Sequence, residues 1–285
     1  MIKGFMGKTH ALLSVMLLSI VLLIPIEFLQ QMFGLLKKDI LFFIVGLVVL
    51  IGGALLPDLD NAQSCAGSTL GFMGSICTIF MQSTATIVYQ LCHMRRDSQS
   101  PYFPHRYFWH TLISGVGIFC MFFFGIPDND STIIGAIKEQ TFMGFLENNS
   151  VMLFFMLMLF MAVLVGSDMV FSKIIKFFKL PKLLSYILPV IALVYMFFLD
   201  YTHLHILGIL LGLGYIYHLI EDCFADSGCP LLFPFPIKGQ MWFRVQLTPV
   251  TIKTGSLTNT LLDVAILVVD IVLIALIFVG GGNFV

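Results

Sequence analysis

Four histidines and three aspartates stand in this chain where a sequence so apolar should hold nothing ionisable. His10 opens an apolar run. Asp58 and Asp60 close a second, in Leu56-Pro57-Asp58-Leu59-Asp60. His105, Arg106 and His110 precede a third, in His105-Arg106-Tyr107-Phe108-Trp109-His110. His218 and Asp222 close a fourth, in His218-Leu219-Ile220-Glu221-Asp222. Ionisable side chains are expensive inside a bilayer, so each one is a functional candidate. Imidazole nitrogen together with carboxylate oxygen suits zinc or a similar divalent ion. His218 and Asp222 are four residues apart, so on a helix they share a face and can grip one ion. Asp58 and Asp60 flank one residue in a turn after Pro57, so both carboxylates can point into one pocket. Together the set suffices for two metals, or for one metal with groups that orient its ligands. A metal with an open position brings the pKa of its bound water to about 7. The planar fork of Arg106 suits an anionic oxygen, above all a phosphate. Taken singly, each histidine reads as an interfacial residue and each aspartate as a solvated helix end. Their joint placement is what argues for chemistry.

The elements that must position these groups are membrane helices. The chain has 285 residues, of which 59% are hydrophobic and 11% charged, against about 25% charged in ordinary soluble domains. Its mean hydropathy is +0.99. These values exclude a soluble enzyme, a disordered chain and a nucleic-acid binder of the basic-patch kind. The net charge of -1 attracts no particular partner. One membrane domain over residues 1–285 fits the length, since a span needs about 20 apolar residues. Apolar runs fall at 11–30, 39–57, 110–126, 151–171, 183–200, 203–221 and 261–281. A further stretch, 69–92, is more polar, with Thr78, Gln82, Thr84, Thr86 and Gln90 among others. Such a helix is a poor lipid-facing span.

Positive charge decides how that stretch is read. If 69–92 does not cross, one face holds Lys3, Lys8, Arg95, Arg96, Arg106, Lys173, Lys176, Lys179, Lys182, Lys238, Arg244 and Lys253. The other holds only Lys37, Lys38 and Lys138. The expectation is therefore an all-α polytopic bundle of about seven spans, with 69–92 re-entrant or interfacial and the N-terminus cytoplasmic. This topology gathers all four His/Asp groups on the cytoplasmic face. His203, His205 and Asp200 fall on the outer side. Asp263 and Asp270, seven apart, share a face of the last span and turn either to the bundle or to a water-filled cavity. The six cysteines form no CxxC pair and read as reduced core residues. The Pro- and aromatic-rich segment 222–260 reads as a loop that caps a site or lies in the interface.

At these residues the chain resembles the YdjM-type bacterial inner-membrane proteins, a family of membrane-bound metal-dependent hydrolases. The resemblance rests on five ordered pieces: Gly7-Lys8-Thr9-His10; Leu56-Pro57-Asp58-Leu59-Asp60 with Ser64 and Gly67; His105-Arg106 with His110-Thr111; His218 with Asp222 and Gly228; and Leu232-Phe233-Pro234-Phe235 with Thr254-Gly255-Ser256. The sequence departs from the family pattern at Asn61, Tyr107, Trp109, Ala225 and Asn259. The family is in turn similar to the zinc-dependent bacterial phospholipases C. The resemblance implies hydrolysis of a phosphoester in a membrane lipid or lipid phosphate, at the bacterial inner membrane, with one to three divalent ions, zinc first and manganese second. It implies His10, Asp58, His110, His218 and Asp222 as metal ligands. Asp60, His105 and Arg106 are the expected catalytic groups, the first two as general base or orienting residues and Arg106 as phosphate clamp. The rivals are a transporter that binds its cation at the cluster and a non-catalytic membrane partner of a regulatory protein.

Overall fold

The computed structural model describes residues 7–23, 36, 39–97, 107–125, 150–179, 181, 184–199, 201–224, 228–247 and 257–280. Within them the chain is helical: α1 (Gly7–Leu23), α2 (Ile40–Leu55), α3 (Cys65–Leu70), α4 (Phe72–Cys92), α5 (Leu112–Gly125), α6 (Ser150–Phe177), α7 (Leu184–Phe197), α8 (Tyr201–Asp222) and α9 (Leu257–Gly280). Ile40–Asp60, Phe72–Cys92, Thr202–Asp222 and Thr260–Ile277 are long and apolar enough to cross a membrane, and α1, α5 and α6 contain shorter apolar helices.

The centre of the bundle is α2. Almost all of it from Phe42 onward is buried, with α6 on one side and α8 on another. In a bilayer no hydrophobic force drives helices together, so close approach depends on small residues at the contact. Two adjacent glycines serve the two contacts. A Cβ on Gly52 would lie 2.0 Å from the Ala162 carbonyl oxygen of α6, and one on Gly53 would lie 2.3 Å from the Leu211 carbonyl oxygen of α8. Helix α8 also packs on α5, α1 on α2 and α9, and α7 on α6.

Pro57 has no N–H to continue the α-helical ladder. Helix α2 therefore ends at Leu55 and tightens into a 3-10 turn, Leu56–Asp60. Ser64 then caps α3, its hydroxyl accepting from the Gly67 N–H at 3.0 Å. Gly71, at φ +54°, turns the chain from α3 into α4. A Cβ on Gly74 would lie 2.2 Å from the Gly67 carbonyl oxygen, so α3 and the start of α4 touch backbone to backbone.

The polar side chains of α4 have a definite use. Thr78 Oγ1 donates to the Leu59 carbonyl at 2.6 Å, and Gln82 Nε2 donates to the Asp60 carbonyl at 2.8 Å. One face of α4 thus holds the Asp58–Asp60 turn in place. Trp109 Nε1 reaches the same helix, 3.1 Å from the Met81 carbonyl. The His110 imidazole comes back to within 3.5 Å of Asp60. The chain between Asp60 and His110 therefore leaves and returns to one place.

The described part of segment 222–260 packs against the start of α5. The Leu231 carbonyl accepts from the Leu112 N–H at 2.9 Å, and Cys229 and Val245 pair their backbones. Phe233 stacks on Trp242 with centroids 4.3 Å apart, and Tyr107 meets Trp242 edge-on. This small aromatic cluster lies against the turn that carries His110.

Candidate metal centre

Six of the eight expected site residues converge. His10, Asp60, His110, His218 and Asp222 are fully buried, and Asp58 keeps 17% of its side chain exposed. They come from four places in the fold: His10 from the first turn of α1, the aspartate pair from the turn after α2, His110 from the 3-10 turn before α5, and His218 and Asp222 from the end of α8. His105 and Arg106 lie outside the described residues.

The polarity of each ring can be read from its neighbours. His218 Nδ1 lies 2.6 Å from the Ala54 carbonyl oxygen. A carbonyl can only accept, so Nδ1 carries the proton and Nε2 presents a lone pair. That Nε2 has no hydrogen-bond partner among the described residues. It faces Asp222 Oδ2 at 3.5 Å and Asp58 Oδ1 at 3.7 Å. His10 Nδ1 is paired with Glu221 Oε2, which aims its Nε2 toward Asp222 Oδ1, 3.9 Å away. The His10 and His218 rings stack with centroids 4.1 Å apart, and His110 stands 5.3 Å from His218.

His110 is held differently. Its Nδ1 lies 2.9 Å from Asp222 Oδ2 and its Nε2 3.5 Å from Asp60 Oδ2. Burial disfavours the imidazolium, while Asp60 and Asp222 on its two sides favour it. A metal ion at Nε2 would replace that proton.

Two overlapping groups offer ligand atoms that all lie within 4.8 Å of one another: His10, His218 and Asp222, and Asp58, His110 and His218. The donor set fits a divalent cation. Four carboxylates, counting Glu221, face three imidazoles in a buried site. Two of those imidazoles already spend their Nδ1 atoms on a carbonyl and a carboxylate. Buried carboxyl groups in that excess need protons or positive charge beside them, and a divalent ion would supply the charge. Fixing each ring through the nitrogen that does not bind metal is the usual arrangement around zinc.

A model of the YdjM inner membrane protein family matches residues 5–176 and 183–282. The chain belongs to that family. No curated protein and no solved structure matches. As a YdjM-family inner membrane protein it carries a buried His/Asp cluster able to hold metal at one end of its helices.

Glu221 holds His10, a role that its place in the sequence does not disclose. An adjacent residue points about 100° away from Asp222 on a helix, so nothing in the spacing links it to the same ion. The signal available was its burial cost: a second carboxylate at a buried helix end needs a partner. Thr9, beside His10, donates to Asp263 Oδ1 at 2.7 Å and ties α1 to α9. Asp263 and Asp270 are both buried and face the bundle. His203 sits edge-on to Phe42 at 4.8 Å, apart from the cluster.

Proposed function

We propose that this protein is a membrane-bound metal-dependent hydrolase that cleaves a phosphoester of a lipid-like substrate at a cytoplasm-facing site. The observation that carries this reading is the convergence of His10, His218 and Asp222, with Asp58 and His110 beside them, on one buried point. A bound zinc or manganese ion would supply a water of lowered pKa and a positive charge beside the phosphate. The chain's own groups do the rest. His10 and His218 present Nε2 atoms whose direction is set by Glu221 and by the Ala54 carbonyl. Asp222 lies between the three imidazoles. Asp58 is the partly exposed member and sits where water and substrate would enter. Asp60, against His110 Nε2, takes the part of general base or orienting group, shared with His105. Arg106, four residues before His110 in the sequence, is assigned the phosphate.

The topology that goes with this reading has seven crossings and a cytoplasmic N-terminus. Segment 61–109 enters and leaves on the cytoplasmic face. The adjacency of Asp60 and His110 supports it, because a net crossing would part them. So does the bias of lysine and arginine toward that face. A site at the membrane surface suits a lipid substrate, since its apolar tails need not leave the bilayer.

The test is the metal content of the detergent-purified protein, measured by elemental mass spectrometry beside His218→Ala and Asp58→Ala. Near-stoichiometric zinc or manganese, lost in both variants, supports one shared centre and leads to hydrolysis assays on phospholipid and isoprenoid-phosphate substrates. A folded wild-type protein that takes up neither metal on reconstitution ends the hydrolase reading.

A further inference from the structure

Helices α1, α2, α6 and α9 line a pocket of about 780 Å³ that is open on one side. That is the size of a site for a small organic molecule, about 300–1,000 Å³. Its walls are apolar, with Val15 of α1, Val48 of α2, Val170 of α6 and Leu267 of α9 among them. Two carboxylates interrupt this lining, Asp263 and Asp270. Seven residues apart on α9, they share a face and stand about 10 Å apart along the axis.

The two meet different surroundings. Asp263 accepts from Thr9, next to His10, and marks the end of the cavity nearest the His/Asp cluster. Asp270 lies deeper in α9. It is 2% exposed, and neither of its oxygens has a hydrogen-bond partner among the described residues. A carboxyl group in hydrocarbon is retained at a cost that only a partner offsets. This one borders a cavity that no described side chain fills.

We propose that this cavity is a second binding site, taking a lipophilic amine whose ammonium group rests on Asp270 and whose apolar body fills the space between α1, α2, α6 and α9. Complementarity selects this chemistry. An ammonium brings positive charge and several N–H donors, so it satisfies both carboxylate oxygens at once. A hydroxyl brings one donor and no charge. A quaternary ammonium brings charge and no donor. An anionic amphiphile would meet two carboxylates. The site is distinct from the His/Asp cluster and does not depend on a metal being bound there.

The probe is 1-aminoadamantane, with 1-adamantanol as its uncharged counterpart of the same shape. Binding to the full chain in lipid nanodiscs is followed by calorimetry. The amine is expected to bind saturably, with the alcohol at least about ten-fold weaker for want of a charge-assisted hydrogen bond. Asp270→Asn is expected to weaken the amine to the level of the alcohol. Leu267→Trp, which fills the pocket and keeps the carboxyl group, is expected to weaken both ligands. Val272→Trp, on the lipid-facing side of α9, is expected to weaken neither. Equal affinity for amine and alcohol overturns the proposal, as does full amine binding by Asp270→Asn, or no saturable amine binding by folded wild-type protein. If Asp270→Asn fails to fold, the amine/alcohol comparison in wild type and in Leu267→Trp decides.

Discussion

Replacing Glu221 with Gln should move two quantities in opposite directions. Glu221 Oε2 holds the His10 Nδ1–H, while Oε1 is buried with no hydrogen-bond partner among the described residues. Glutamine keeps the length and one carbonyl oxygen but removes the negative charge. Groups that orient a metal-binding histidine typically contribute ten- to a hundred-fold in metal affinity, which is about 1.4–2.7 kcal/mol. Glu221→Gln should lose the lower part of that range, because the amide oxygen still accepts. Glu221→Leu should lose the upper part, because the His10 Nδ1–H is then left without an acceptor. The metal-free protein responds the other way. It carries Glu221 beside Asp222 in a buried site, and glutamine removes one of two buried acidic groups while keeping an acceptor for the His10 N–H. Zinc affinity is read by competition with a chromophoric chelator, and stability by thermal melting with chelator present. The expected Glu221→Gln protein binds zinc more weakly and melts no lower without it. An unchanged zinc affinity would refute the orienting role. A fall in metal-free melting that matches the fall in affinity would show that Glu221 only supports the fold.

Three further outcomes follow from the packing. Gly52→Ala places a Cβ 2.0 Å from the Ala162 carbonyl, so it should destabilise by about 1–3 kcal/mol as an overpacked core does; Gly117→Ala, with open space at its Cβ, should have little effect on the same melt. Thr78→Val with Gln82→Leu removes both donors that hold the Asp58–Asp60 turn; each orphaned carbonyl costs about 1–3 kcal/mol, and zinc affinity should fall as Asp58 loses its position. Asp39 caps α2, so Asp39→Ala should cost about 1 kcal/mol at neutral pH. Burial tends to raise the Asp39 carboxyl, but hydrogen bonds from the Phe42 N–H, the Tyr195 hydroxyl and the Leu41 N–H outweigh it and hold its pKa below the usual value. A lowered carboxylate pKa stabilises fully above the unfolded value and is lost as pH falls through the folded one. The melting difference between wild type and Asp39→Ala should therefore be largest at neutral pH and close in acid; a difference that widens in acid contradicts the cap.

What could be read from the sequence was what lies within one element. His218 and Asp222 share a face by helical spacing alone, and the structure puts both against the same three-imidazole cluster. The gathering of His10, Asp58, Asp60 and His110 needed a further argument, the distribution of lysine and arginine, which fixes an end of the bundle but not a contact. Relations between elements were out of reach. Glu221 reaches His10 only because α1 lies beside α8, and α2 admits α6 and α8 only because Gly52 and Gly53 leave their backbones room. No periodicity encodes either fact. Stretch 69–92 is the instructive mixture. Its polar residues were visible as a liability in lipid, and α4 is nonetheless long and apolar enough to cross a membrane.

The resolution of that liability carries over to α9. Thr78 and Gln82 made α4 a poor lipid-facing helix, and both proved to hold backbone oxygens at the Asp58–Asp60 turn. Thr9 and Asp263, equally out of place, satisfy each other. Glu221 is tied to His10. In each case a polar atom inside an apolar bundle is kept because a specific partner offsets its desolvation. Ser19, Ser167 and Asp270 depart from this pattern among the described residues, and Asp270, the acid of the three, does so at the wall of a pocket. Where Thr78, Gln82, Thr9 and Glu221 find their partners within the chain, this carboxyl group borders a space open to a partner from outside it.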